Sequence, residues 1–109
     1  MKRKAKVTPF RSHEEAAIES FRKDRKFAAE YLNSVFEDGD QDELMVALRY
    51  MAAAFGGVPK LAEQAELNAT TLYRTLSPQG NPELKSLRAL LKAMGMRLAV
   101  EPIKQKRAA

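Results

Sequence analysis

The sequence contains no cysteine. Disulfides, thiolate catalysis and cysteine-based zinc sites are therefore excluded. No apolar run approaches the roughly 20 residues that a membrane span needs. The opening stretch, MKRKAKVTPFRSHEE, is basic but has no apolar core of the kind a secretory signal carries. These absences suit a cytoplasmic protein with no membrane partner. Histidine occurs once, as His13 beside a helix start, which argues against a metal or acid–base role. No serine sits in a nucleophile elbow, and no glycine-rich loop is available to cradle a phosphate. The expectation is a protein that is not an enzyme and needs no cofactor. Asp38, Asp40 and Asp42 alternate like the start of a calcium loop. The sixth position is Glu43 where glycine is needed, and the twelfth is Arg49 where a bidentate glutamate is needed. Helix capping explains these acids better.

What the chain does have is an uneven distribution of charge. Its 109 residues, 45% hydrophobic and 30% charged, suit one domain with a real core. The net charge of +5 is not spread evenly. Residues 1–12 hold five bases and no acid, whereas residues 13–57 hold five bases against ten acids. Residues 58–101 hold six bases against four acids, and residues 102–109 add three bases. The positive charge thus collects on the second half and on both tails, which suits a polyanionic partner. For the tails alone, an aid to solubility is an equal reading.

Residues 1–11 lack apolar periodicity and read as a flexible basic arm. The domain is expected over 12–102. Ser12 and Glu15 form a capping box that opens a helix to about Arg22, with Ala17, Ile18 and Phe21 inward. Asp24 caps a second helix to about Phe36, with Phe27, Ala28, Tyr31, Leu32 and Val35 as its apolar stripe. Gly39 suits a left-handed helix end. Asp40 and Glu43 open a third helix to about Phe55, placing Leu44, Ala47, Leu48, Met51 and Phe55 inward. Gly56 and Gly57 stop it, and Pro59 fits the first turn of the next helix. After a turn-rich loop over 77–81, Asn81-Pro82-Glu83 starts a last helix burying Leu84, Leu87, Leu90, Leu91 and Met94. Gly95 closes it. Met96 to Glu101 then alternates as a strand would, with Met96, Leu98 and Val100 on one face. The chain offers no second strand, and a lone strand leaves backbone groups unsatisfied. Its simplest partner is the same strand of a second copy, so a homodimer is expected, with these three residues at its interface. The other reading is an extended tail lying on its own domain. Residues 103–109 read as a basic tail.

The organising stretch is Lys60 to Leu76, KLAEQAELNATTLYRTL. Its spacing predicts a helix-turn-helix. Leu61, Ala62 and Ala65 share one face of the first helix, Leu67 sits in the turn, and Asn68 caps the second helix. Leu72 and Leu76 form that helix's inner face. The opposite face carries Thr70, Arg74 and Ser77, flanked by Thr71 and Tyr73. It offers donors and acceptors but no large aliphatic. Such a helix can lie in the DNA major groove. Two amphipathic helices of an ordinary bundle would produce the same pattern. The fold expected overall is all-α, a five- to six-helix bundle containing a repressor-like helix-turn-helix and a short C-terminal strand.

From about Tyr31 to Pro102 the sequence resembles the addiction-module antidote proteins, HigA-like antitoxins with a phage-repressor type of helix-turn-helix. The likeness is carried by YLNSVFEDGD and by LAEQAELNATTLYRTLSPQGNPELKSLRALLKAMGMRLAVEP, most specifically the LYRTLS run, the G-N-P loop and the closing GMRLAVEP. It implies a dimeric DNA-binding protein that represses its own operon, bound to double-stranded operator DNA. It also implies a small toxin encoded alongside, similar to RelE-type ribonucleases. The recognition helix would be about Ala69–Leu76. Repressor-type motifs place glycine where Glu66 stands here, and a left-handed non-glycine residue carries a strain of about 1 kcal/mol. The turn either bears that strain or adopts another geometry, or the helix is tilted.

The candidate DNA-binding residues are Lys60, Ala69, Thr70, Thr71, Tyr73, Arg74, Ser77 and Asn81. Arg74 can read guanine, grip a phosphate, or pair with a surface glutamate. Thr70 and Thr71 can touch phosphate or a thymine methyl, or serve only as helix-start chemistry. Tyr73 can reach the DNA backbone or be partly buried. Ser77, Gln79 and Asn81 can touch phosphates or merely connect, and Lys60, Lys85, Arg88 and Lys92 can neutralise phosphates or form a solvated flank. The N-terminal helices, Ser12 to about Glu37, are the region expected to meet the toxin. The alternatives are a prophage-type regulator with no toxin, and a toxin-neutralising protein with no DNA role.

Overall fold

The computed structural model describes residues 12–104. The expected basic arm, 1–11, and most of the expected basic tail, from residue 105 onward, lie outside the described residues. Six helices run in order: α1 (His13–Lys23), α2 (Arg25–Asp38), α3 (Gln41–Ala54), α4 (Val58–Ala65), α5 (Ala69–Thr75) and α6 (Leu84–Ala93). α3 packs against α1, α2 and α4, and α4 in turn packs against α5 and α6. The chain is thus two three-helix groups joined where α3 meets α4.

The helix starts follow local chemistry. Ser12 Oγ accepts from the Glu15 N–H at 3.0 Å while the Glu15 carboxylate accepts from the Ser12 N–H at 3.2 Å. Asp40 and Glu43 make the same reciprocal pair at 2.8 and 2.9 Å. Each box satisfies two donors that the first turn would otherwise leave unpaired. Asp24 serves two helices at once. Its N–H donates to the Ser20 carbonyl at the end of α1, and its carboxylate accepts from the Phe27 N–H at the start of α2. One residue therefore sets the corner between α1 and α2.

The core collects one stripe from every helix: Phe21; Ala28, Leu32 and Val35; Met45, Ala47, Leu48, Met51, Ala52 and Ala54; Leu61 and Ala62; Leu72 and Leu76; Leu87, Leu90, Leu91 and Met94. No polar or charged side chain is buried among the described residues. α3 supplies the largest share, and Met45, Leu48 and Met51 are fully enclosed.

Several expectations need correction. Met45, not Leu44, is the buried residue at the start of α3, and Leu44 is only half-buried. Phe27 and Tyr31 were expected inward but stand half-exposed, because Ala28, Leu32 and Val35 occupy the centre of the α2 stripe. Their rings lie 5.8 and 5.3 Å from that of Phe21, and the three form an aromatic edge. Phe55 is also marginal, with the Arg25 guanidinium 4.9 Å above its ring. Gly39 is extended, not left-handed, with φ −85°. A Cβ there would stand 2.9 Å from both Val35 Cγ1 and the Val35 carbonyl oxygen, so close approach is what calls for glycine. α6 starts at Leu84 after Glu83 and not at Asn81. Leu84, expected to be buried, is 64% exposed in that first turn.

The C-terminal strand does not form in the single chain, since the described residues contain no strand. The physical reason is the one visible in the sequence: a strand needs a hydrogen-bonded neighbour, and this chain provides none.

Truncating the core at its centre should be costly. Leu48→Ala is expected to lose about 2–5 kcal/mol of stability, whereas Leu84→Ala should change it by no more than about 0.5 kcal/mol. Urea denaturation of the two variants checks both the core assignment and the exposed position of Leu84.

Candidate nucleic-acid interface

Two short helices, α4 and α5, are joined by Glu66, Leu67 and Asn68. Pro59 sits in the first turn of α4, where its missing N–H removes no hydrogen bond. Leu61 and Ala62 are buried, Ala65 and Leu67 half-buried. The helix then closes on itself. The Leu67 N–H reaches back to the Ala62 carbonyl at 2.8 Å and the Glu66 N–H to the Glu63 carbonyl at 3.2 Å. This paired closure requires a left-handed residue at the turn, and Glu66 adopts it, with φ 60° and ψ 42°. The end of α6 closes the same way, with Met96 N–H to the Leu91 carbonyl and Gly95 N–H to the Lys92 carbonyl, but there the left-handed residue is glycine. Glu66 is thus left-handed without being glycine and bears the strain of that conformation.

Asn68 caps α5, its side-chain oxygen accepting from the Thr71 N–H at 2.9 Å. Leu72 and Leu76 anchor the helix in the core. The far end is held by a residue that sequence reasoning considered only as a misfit in a calcium loop. Arg49, on α3, donates from Nη1 to the Leu76 carbonyl at 2.6 Å. A carbonyl at a helix end lacks an intrahelical partner, and a cation there also complements the helix dipole. No local pattern links residues 49 and 76, so only the fold, with α4 packed against both α3 and α5, brings them together. Ser77 Oγ donates to the Arg74 carbonyl at 2.7 Å, so its proton serves the helix end. The Gln41 side chain reaches the Gly80 carbonyl at 3.3 Å, tying the following loop to the start of α3.

The sequence-predicted residues divide into groups. Thr70, Thr71, Tyr73 and Arg74 are exposed on α5, and Arg74 makes no ion pair among the described residues. Tyr73 is 57% exposed and borders a groove with Arg49, Val58, Pro59 and Leu76. Ala69 packs against the core instead of joining that outward face. Lys60 is exposed on α4, and Asn81 is exposed in the loop beyond α5. Lys85, Arg88 and Lys92 lie on α6 and line a groove with Arg97, Met96 and Leu98. Met96 and Leu98 are half-buried against the core, whereas Val100 is almost fully exposed. The acids of the supposed calcium loop are accounted for in part by the Asp40–Glu43 capping box.

The family model for “Probable addiction module antidote protein” matches residues 13–102. The chain belongs to this family. The match spans all six helices and runs on through the segment after α6 to Pro102. Membership supports an antidote role and, in general terms, a toxin partner. No curated protein and no solved structure matches the chain. No helix among the described residues is long and apolar enough to cross a membrane.

Two variants probe how the α4–α5 unit is held. Glu66→Gly should relieve left-handed strain and raise stability by about 0.5 kcal/mol, the gain being reduced by glycine's larger unfolded-state entropy. Arg49→Ala should lower stability by about 1–2 kcal/mol, because the Leu76 carbonyl loses a charged donor. Thermal unfolding followed by circular dichroism measures both. A Glu66→Gly variant less stable than the parent would contradict the left-handed assignment.

Proposed function

We propose that this protein is the antitoxin of a type II toxin–antitoxin pair and represses its own operon by binding operator DNA as a homodimer. The observation that carries the DNA role is the division of α5. Leu72 and Leu76 seat the helix, while Thr70, Thr71, Tyr73 and Arg74 stand exposed on its outer side. Family membership supports the antidote role. Two recognition helices related by a two-fold axis would enter successive major grooves and exclude polymerase. In this reading Arg74 pairs with a guanine edge, Lys60 and Asn81 meet phosphates, and Lys85, Arg88 and Lys92 add phosphate neutralisation that makes affinity fall with salt. Ala69 supports the helix from beneath.

Fluorescence anisotropy on the protein's own upstream DNA and on scrambled DNA, across a salt series, tests the DNA role. The parent should prefer the upstream DNA, and Arg74→Ala should weaken or relax that preference by about tenfold or more. Equal weak binding to both DNAs that disappears with salt would overturn it, leaving a protein that acts only on its partner.

The toxin, a small RelE-type ribonuclease encoded beside this gene, is held by α1 and α2 in this reading. The half-exposed Phe27 and Tyr31 support that choice, since exposed aromatics are favoured in protein interfaces. Removing residues 1–37 would strip Phe21, Ala28, Leu32 and Val35 from the core, so surface substitutions are the appropriate probe. Phe27→Ser with Tyr31→Ser should reduce co-purification of the toxin and leave operator binding unchanged. Undiminished recovery of the toxin would place the contact elsewhere.

A further inference from the structure

We propose that Arg97–Glu101 is the edge through which two copies of this chain pair, as an antiparallel ribbon whose two-fold axis passes through Ala99. This rests on the homodimer in the reading above and adds its register.

The segment after α6 has unused backbone. Its last main-chain hydrogen bond is that of the Met96 N–H to Leu91 at 2.8 Å. Beyond it, no main-chain group from Arg97 to Lys104 has a hydrogen-bond partner among the described residues. Side chains nevertheless already alternate. Met96 and Leu98 are half-buried against the core, while Arg97 and Ala99 face solvent. Continuing that alternation puts Val100 on the inner face, yet it is 98% exposed. The inner face of the strip is therefore half covered by the protein's own helices and half bare. An open groove between α2 and the segment, walled by Leu32, Phe36, Leu91 and Leu98, runs alongside it. A two-stranded ribbon needs helices beneath it to be stable, and this one has them.

Symmetry and chemistry select the register. If Ala99 lies on the two-fold axis, residue i faces residue 198 − i of the second copy. Arg97 then faces Glu101 of the other strand, twice, and Leu98 faces Val100, twice. Directly opposite side chains of opposite charge attract, and apolar pairs cover one another. Neither Arg97 nor Glu101 has an ion pair within the described chain. Each exposed Val100 gains the other copy's Leu98 as its neighbour. The ladder also ends cleanly. Met96, whose N–H is already engaged, falls opposite Pro102, which has none. Placing Leu98 on the axis instead would set Arg97 opposite Ala99, with the other copy's Arg97 and Glu101 only diagonal to it, and would leave Glu101 without a facing cation.

The absence of native cysteine makes the register directly readable. Single-cysteine variants of the full chain, oxidised mildly without DNA, should give a disulfide-linked dimer for Ala99→Cys and little for Leu98→Cys. Sedimentation equilibrium should show Arg97→Glu and Glu101→Arg each weakening the dimer about tenfold, since each replaces two attractive pairs by two repulsive ones. The double variant restores both pairs and should return to within about threefold of the parent. A double variant as weak as the singles, or cross-linking through Leu98→Cys in preference to Ala99→Cys, overturns this register while leaving a dimeric repressor possible. A parent chain monomeric at every concentration overturns both the register and the dimer.

Discussion

Among the described residues the core holds no buried polar side chain. Every buried side chain there is apolar, so most helix ends are satisfied by residues of the helix itself or its flanks. That constraint explains where the helices begin and how they turn. Ser12 with Glu15, Asp24, Asp40 with Glu43, and Asn68 all close helix starts with nearby oxygen atoms. Backbone loops close the ends of α4 and α6 without any side chain, one through Glu66 and one through Gly95. Since apolar packing is non-directional, these caps are what make the arrangement of helices specific.

The end of α5 is handled differently. A long-range donor, Arg49, meets its last carbonyl, and Ser77 meets the Arg74 carbonyl beside it. α5 has only seven residues, and an isolated helix that short is unstable in water. Its position therefore depends on Leu72 and Leu76 below, Asn68 at one end and Arg49 at the other. The outer residues need take no part in holding the helix, which frees Thr70, Thr71, Tyr73 and Arg74 for a partner. The same division of labour recurs after α6, where Met96 and Leu98 hold the segment and the residues between and beyond them remain unused.

The charge map fits this separation. The acids concentrate in α1 to α3, whereas Lys60, Arg74, Lys85, Arg88, Lys92 and Arg97 lie on α4 to α6 and the segment that follows. The aromatic edge of Phe21, Phe27 and Tyr31 lies on the acidic half.

Much of this was readable in the sequence. The caps were legible because Ser, Asp and Asn act on backbone groups two or three residues away. The α4–α5 pair was legible because Leu61, Ala62, Leu72 and Leu76 repeat at helical spacing. The strand-like alternation of Met96 to Glu101 was equally plain, though alternation alone cannot supply the neighbour a strand needs. What escaped was whatever depends on the direction from which other helices arrive. Phe27 and Tyr31 lie on an apolar stripe wider than the contact that covers it, and Met45 displaces Leu44 because α3 is approached from several sides. Arg49 and Leu76 are 27 residues apart, and nothing local marks them as partners. Sequence alone determined the helices, the starting points of all but α6, and the polar outer face of α5, since those follow from short-range periodicity and capping. Only the tertiary structure decided which apolar residues are covered and what secures the end of α5, because both depend on distances set by the packing of separate helices.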